Sequence, residues 1–242
     1  MRACPPRVKP ILLFAGPSLP EEADTIAAPI LLRPPARCGD LARALDDDPA
    51  AILLVDGVFE IAPTVWHKEI LLVLARGIPV YGAASLGALR AAELDRHGMI
   101  GAGIIYEAYR DGAVESDAAV MVAHAPAALG YRPLTLALVD AEASLLVAAL
   151  DPDDRRLLQG IARRINFRDR TWPAIVGAFA ARRGIAQAER ARSAITVAAY
   201  SQKSRDTADL IALVQRQIAG PPPPAVVPRT IYMEELINIC AG

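Results

Sequence analysis

Two short stretches hold the residues with the most chemical potential. "VYGAASLGALRAAEL" (80–94) sets Ser85 among small residues just before a helix-like run. "PTVWHKEILLVLARG" (63–77) carries His67 and Lys68 where a helix should open. A serine and an amine suffice for nucleophilic catalysis, because a neutral amine can take the hydroxyl proton as the oxygen attacks. The order G-A-A-S-L-G follows the strand–turn–helix logic of a nucleophile elbow without its G-x-S-x-G pattern. The plainer role for Ser85 is a helix N-cap, a position that serine favours. Both roles are compatible. The first amides of the helix, at Leu86 and Gly87, are suited to hold an oxyanion.

The helix around Lys68 is apolar nearly all round, with Val65, Trp66, Ile70, Leu71, Leu72, Val73 and Leu74. It therefore reads as buried. Burial and the positive end of the helix dipole both disfavour a charged amine at Lys68, which is what a general base requires. The plainer reading is a lysine that snorkels to water from a buried stem. Lysine is scarce here: of 26 basic residues only Lys9, Lys68 and Lys203 are lysine. An arginine cannot release its proton, so a lysine retained in such a background attracts notice.

Positioning these groups requires elements that end on one side. "PILLFAG" (10–16), "APILLR" (28–33), "AAILLVDG" (50–57) and "IPVYGAA" (78–84) read as short buried strands. Between them "LARALDDD" (41–48), 63–77 and 86–97 read as helices, the second opened by Pro63 and closed by Arg76 and Gly77. Alternation of this kind predicts an α/β fold with a parallel, layered sheet in the N-terminal half. Ligands of such sheets bind beyond the carboxyl ends of the strands. Three loops lie there: "AGPSL" with Gly16 and Ser18, "DGVFEIAPTVWHK" with His67 and Lys68, and "GAASLG" with Gly82 and Ser85.

A further strand is expected around 118–124. After Pro133 the character changes, and 134–150, 152–165, 171–182, 185–199 and 204–219 read as helices. The chain thus divides into an α/β core (1–133), a helical region (134–219) and a Pro-rich connector with an amphipathic tail (220–242). On the Ser85 helix, Arg90 and Glu93 stand three apart and Glu93 and His97 four apart, the spacing of intrahelical pairs. Tyr106, Tyr109, Asp111 and Asp117 flank a glycine-rich segment and are candidates for a pocket or docking surface.

With 53% hydrophobic and 22% charged residues and a net charge of −1, the chain reads as globular, with no bulk attraction to nucleic acid or anionic membrane. Its longest apolar runs fall well short of the roughly 20 residues of a spanning helix, and the N-terminal apolar run is too short for a signal peptide. Cys4, Cys38 and Cys240 stand apart and fit reduced thiols. A cytoplasmic location follows as the expectation. His67, His97 and His124 have no metal-site spacing, and no phosphate-binding glycine motif opens a helix, so neither a metal nor a cofactor is expected.

Together "FAGPSL" (14–19), "DGVFEIAPTVWHKEILLVLARGIPVYGAASLGALRAAEL" (56–94) and "GMIGAGIIYEAYRDG" (98–112) resemble the TfuA-like family in order and spacing, over roughly residues 10 to 140. The chain departs from the family at "ESDAAV" (115–120), where members tend to carry a D-D-E-like acidic set and Asp117 remains. The resemblance implies a protein acting beside YcaO proteins, which use ATP to activate a peptide amide oxygen so that sulfur can replace it. It further implies hydrolysis of the C-terminal thiocarboxylate of a small ThiS-like sulfur carrier by a Ser–Lys pair. The peptide or protein substrate would be held through YcaO. Carried onto this chain, the lysine of "HKEIL" is Lys68 and the serine of "GAASLG" is Ser85, with Ser18 as the other serine to consider. Ser18, Gly16, Gly82, Leu86, Gly87 and Arg90 are the binding or oxyanion candidates. The alternative readings are a non-catalytic adaptor between YcaO and its peptide, and a phosphate- or small-ligand-binding α/β protein.

Overall fold

The computed structural model describes residues 9–20, 26 and 29–217. Five strands form one all-parallel sheet: β1 Ile11–Phe14, β2 Ile30–Arg33, β3 Ala51–Leu54, β4 Val80–Gly82 and β5 Ile100–Gly101. Their order is β2-β1-β3-β4-β5. This is a doubly wound order in which the chain reverses direction between β1 and β3, and the crevice at that reversal is where such sheets bind ligands.

Around the sheet lie α1 Asp40–Arg43, α2 His67–Ala75, α3 Leu86–Leu94 and α4 Ile104–Arg110. A mainly helical region follows: α5 Leu138–Val147, α6 Pro152–Arg164, α7 Trp172–Arg183, α8 Ile185–Ala198 and α9 Gln202–Gln217. Leu12, Phe14, Ile52, Leu54 and Val80 bury one sheet face against Leu41 of α1, Ile70 and Val73 of α2 and Leu86 and Leu94 of α3. Ile11, Leu13, Leu53 and Tyr81 bury the other against Leu210, Ile211 and Val214 of α9. The last described helix therefore returns to cover the sheet, while α5 to α8 share a separate core around Leu145, Leu158, Ile175 and Phe179.

Buried carboxylates fix α9 at its first turns. Asp140 of α5 accepts Lys203 N–H at 3.0 Å and Ser201 Oγ–H at 3.2 Å, so it caps the start of α9. Asp206 accepts Ile105 N–H at 2.8 Å and Gln202 Nε2–H at 2.7 Å, tying α9 to the start of α4. Gly103 makes that approach possible: its φ is +90°, and a Cβ there would meet Asp206 Cγ at 2.4 Å. Burial raises both carboxyls above their usual range, and the Lys203 charge works against this at Asp140.

The helix expected from Pro63 starts instead at His67, after Trp66 in extended conformation. Fully buried Glu69 turns back to accept Trp66 N–H at 3.1 Å and also takes Gly39 N–H at 2.7 Å, so a tertiary contact and a cap together set the boundary. The strand expected around 118–124 does not form. A 3-10 turn spans Asp117–Ala119, and only His124 makes a bridge, to Pro133. The connector and tail at 220–242 lie outside the described residues.

Gly87 lets α3 sit hard against the sheet. Its N–H donates to Val55 O at 3.1 Å, and a Cβ there would stand 1.8 Å from Leu54 O. Backbone cannot yield as a side-chain tip can. Gly87→Ala is thus expected to cost about 1–3 kcal/mol or more, read as a lower midpoint in chemical denaturation.

Candidate active site

The loops after β1, β3 and β4 meet at the crevice between β1 and β3. Asp56, two residues past the end of β3, is 2% exposed and held on three sides. Its Oδ2 accepts Gly16 N–H and Ser18 N–H, each at 2.8 Å, and its Oδ1 accepts Ser18 Oγ–H at 2.6 Å. The Gly-Pro turn after β1 therefore cradles a carboxylate, and Ser18, wholly buried, spends its hydroxyl on it.

Lys203 reaches the same place from the first turn of α9. It is 3% exposed, with Nζ donating to Val120 O at 2.9 Å and lying 3.9 Å from Asp56 Oδ1. A lysine this deep needs a charge partner or a function. Asp56, Lys203 and Ser85 all line a cavity of about 350 Å³, whose wall also includes Pro17, Phe59 and the run from Val120 to His124. At its rim Arg168 pairs with Glu60.

Ser85 reaches this cavity through a sharp turn. Ala84 sits at φ +66°, a left-handed conformation that costs a non-glycine residue about 1–2 kcal/mol. Ser85 itself has φ −124° and ψ −124°, and its N–H closes back on Ala83 O at 2.7 Å. It stands at the N-cap position of α3, but its side chain makes no capping bond. Instead, Ser85 O accepts Ala88 N–H and Leu89 N–H. A strained turn that presents to a cavity a hydroxyl making no capping bond is the arrangement of a nucleophile elbow.

The remaining sequence candidates fall elsewhere. Lys68 is half-buried on α2 and does not line the cavity. Gly82 and Gly87 serve close packing: a Cβ on Gly82 would meet Gly87 O at 2.1 Å. Because Gly87 N–H is given to Val55 O, Leu86 N–H is the helix-start amide left for an oxyanion. Arg90 is buried and donates to Val65 O at 3.1 Å and to Glu93 at 2.6 Å, tying α3 to the approach of α2. Glu93 also meets His67 at 2.8 Å, so the expected partner His97 is replaced by a residue from another helix. Tyr109 donates to Ser116 O, and neither it nor Tyr106, Asp111 or Asp117 lines the cavity.

Burial works to raise the Glu93 carboxyl, but hydrogen bonds and charge from His67 and Arg90 outweigh it and hold it below its usual range. A depressed folded-state value contributes stability above the unfolded carboxylate range, and that stability is lost as pH falls through the folded value. Glu93→Gln is accordingly expected to lower the thermal midpoint at pH 7, with the effect shrinking as pH falls below the ordinary carboxylate range.

Sequence reasoning passed over Asp56 and Lys203. Both had a signal: Asp56 directly follows the buried run "AILLV", and Lys203 is one of the three lysines. No helix among the described residues is long and apolar enough to cross a membrane, and these residues hold no group of three or more potential metal ligands. No curated protein matches the chain. The family described as TfuA-like protein matches residues 56–171, a span that includes Asp56, Ser85, Val120 and the rim residue Arg168. Over residues 56–171 the chain is therefore similar to the TfuA-like proteins.

Proposed function

We propose that this cavity hydrolyses the C-terminal thiocarboxylate of a ThiS-like sulfur carrier and releases sulfide to a YcaO partner. The observation that carries the reading is the meeting of Ser85, on its strained turn, with buried Lys203 in one cavity. In this reading Lys203 takes the role that the sequence physics and the resemblance had both given to Lys68.

In this mechanism Lys203 Nζ serves as the general base, accepting the Ser85 proton while Ser85 Oγ bonds to the thiocarboxylate carbon. Leu86 N–H faces the developing oxyanion. As the tetrahedral adduct collapses, Lys203 passes the proton it took from Ser85 to the sulfur. The C–S bond breaks, hydrosulfide leaves, and the amine is free to act again. A water molecule, deprotonated in turn by Lys203, then cleaves the serine ester and frees the carrier as a carboxylate. Asp56 fixes the position of the amine from 3.9 Å, and Gly16 and Ser18 fix Asp56. Hydrosulfide is a far better leaving group than an amine, so the site needs little further activation.

The test is purified full-length chain with a thiocarboxylated carrier, followed by intact mass. Conversion of thiocarboxylate to carboxylate, with free sulfide detected, supports the hydrolase. A carrier left unchanged, both alone and with YcaO present, rules it out in favour of an adaptor that bridges YcaO and its peptide.

A further inference from the structure

Away from the catalytic cavity, α7 and α8 leave an apolar groove of about 470 Å³ between them. Buried Val176, Ala188 and Ile195 line it, with Trp172, Arg192 and Ile185 beside them. Ile185 is 78% exposed. A large apolar side chain left that open at the edge of an apolar groove marks a docking surface. An amphipathic helix that lays one apolar face into such a groove is a recurring mode of recognition.

The chain itself carries a segment of that kind. In "RTIYMEELINICAG" (229–242), helical periodicity sets Tyr232, Met233, Leu236, Ile237, Ile239 and Cys240 on one face and Glu234, Glu235 and Asn238 on the other. Charge is complementary. Between 172 and 199 four arginines (Arg182, Arg183, Arg190 and Arg192) stand against the single Glu189, whereas the segment sets Glu234 and Glu235 against Arg229. Reach agrees as well. Ala199 lines the groove, α9 opens three residues later, and its 16 residues run about 24 Å. Gly220 then supplies a residue free to reverse the chain. The proline-rich run 220–228 spans about 28 Å in the extended form that proline favours. A spacer of that length, laid back along α9, returns Arg229 to the Ala199 end of the groove.

We infer that the α7–α8 groove is the docking site of this chain's own segment 229–242, which lies in it as a helix with its apolar face inward. Glu234 and Glu235 then face the arginines of α7 and α8. The groove and the catalytic cavity share no lining residue, so this contact stands or falls apart from the hydrolase reading.

The test is residue-resolved amide hydrogen exchange on the full-length chain. Wild type is compared with two variants that leave the buried residues of the described fold intact. One carries Leu236→Asp and Ile237→Asp together. The other is Ile185→Asp, at an exposed site in the first turn of α8, where a carboxylate is favoured. In the first variant, exchange along α7 and α8 should quicken by about tenfold or more, since a covered surface is opened. In Ile185→Asp, exchange at 232–240 should quicken in the same way. Each effect should be independent of protein concentration, because the segment and the groove belong to one chain. The inference is overturned if α7 and α8 exchange alike in wild type and the first variant, or if 232–240 does not respond to Ile185→Asp. Protection that moves instead at exposed Leu31 and Leu32 of β2 would place the segment elsewhere and overturn it too. So would protection lost on dilution, which would assign the groove to a second copy's segment.

Discussion

Ser85→Ala is expected to lower thiocarboxylate hydrolysis by roughly 10³-fold or more, the scale on which losing a nucleophile acts when the rest of the site remains. Stability should hardly change. A serine that caps its helix contributes about 0.5–2 kcal/mol, but the Ser85 side chain makes no capping bond, and its helix is anchored by Gly87 N–H on Val55 O. Single-turnover rates and denaturant midpoints measured on the same preparations read the two effects separately. Ser18→Ala should not separate the two effects. Its hydroxyl is committed to Asp56 at 2.6 Å, so its loss loosens a buried carboxylate and reduces stability and activity together.

Lys203→Met is the second change with a large expected effect. It keeps a stem of similar length and removes the base, so hydrolysis should fall by about 10²–10⁴-fold. Lys203→Arg should fare no better, because a guanidinium keeps its proton and is bulkier than the amine it replaces. Lys203→Met leaves Val120 O without its donor, Lys203→Arg forces a larger group into a buried position, and both change the surroundings of Asp56, for an expected cost of about 1–3 kcal/mol. Lys68→Met, outside the cavity wall, should retain near-wild-type turnover. Rates for the three variants beside the wild type, with circular dichroism to verify folding, decide which lysine serves Ser85.

The pattern of alternating strands and helices was legible because it is local. "ILLF", "AILL" and "VYG" are buried runs bounded by turn residues, and each became a parallel strand. Their common direction brought the loops carrying Ser18, Asp56 and Ser85 to one side without further information. What was not legible depends on contacts between distant segments. Lys68 looked right because it opens the helix after a strand-end loop, yet that helix buries Glu69 beneath Gly39 and leaves Lys68 off the cavity wall. Lys203 enters only because α9 folds back across the sheet, and Asp140, Asp206 and the core around Leu210 hold it there. Nothing in the spacing of "SQKSRDTADLIALV" announces that return. The alternation at 118–124 was read as a strand on sound grounds, but a strand needs a partner, and the described residues supply none at Met121 and Val122.

The most direct measurement is to trap the reaction. Thiocarboxylated carrier is mixed with the full-length chain, quenched in acid within one turnover, and the covalent adduct is mapped by peptide mass spectrometry. The account predicts a carrier ester on Ser85, absent from Ser85→Ala and formed far more slowly in Lys203→Met. An ester on Ser18, or hydrolysis that continues unchanged in Ser85→Ala, would contradict it.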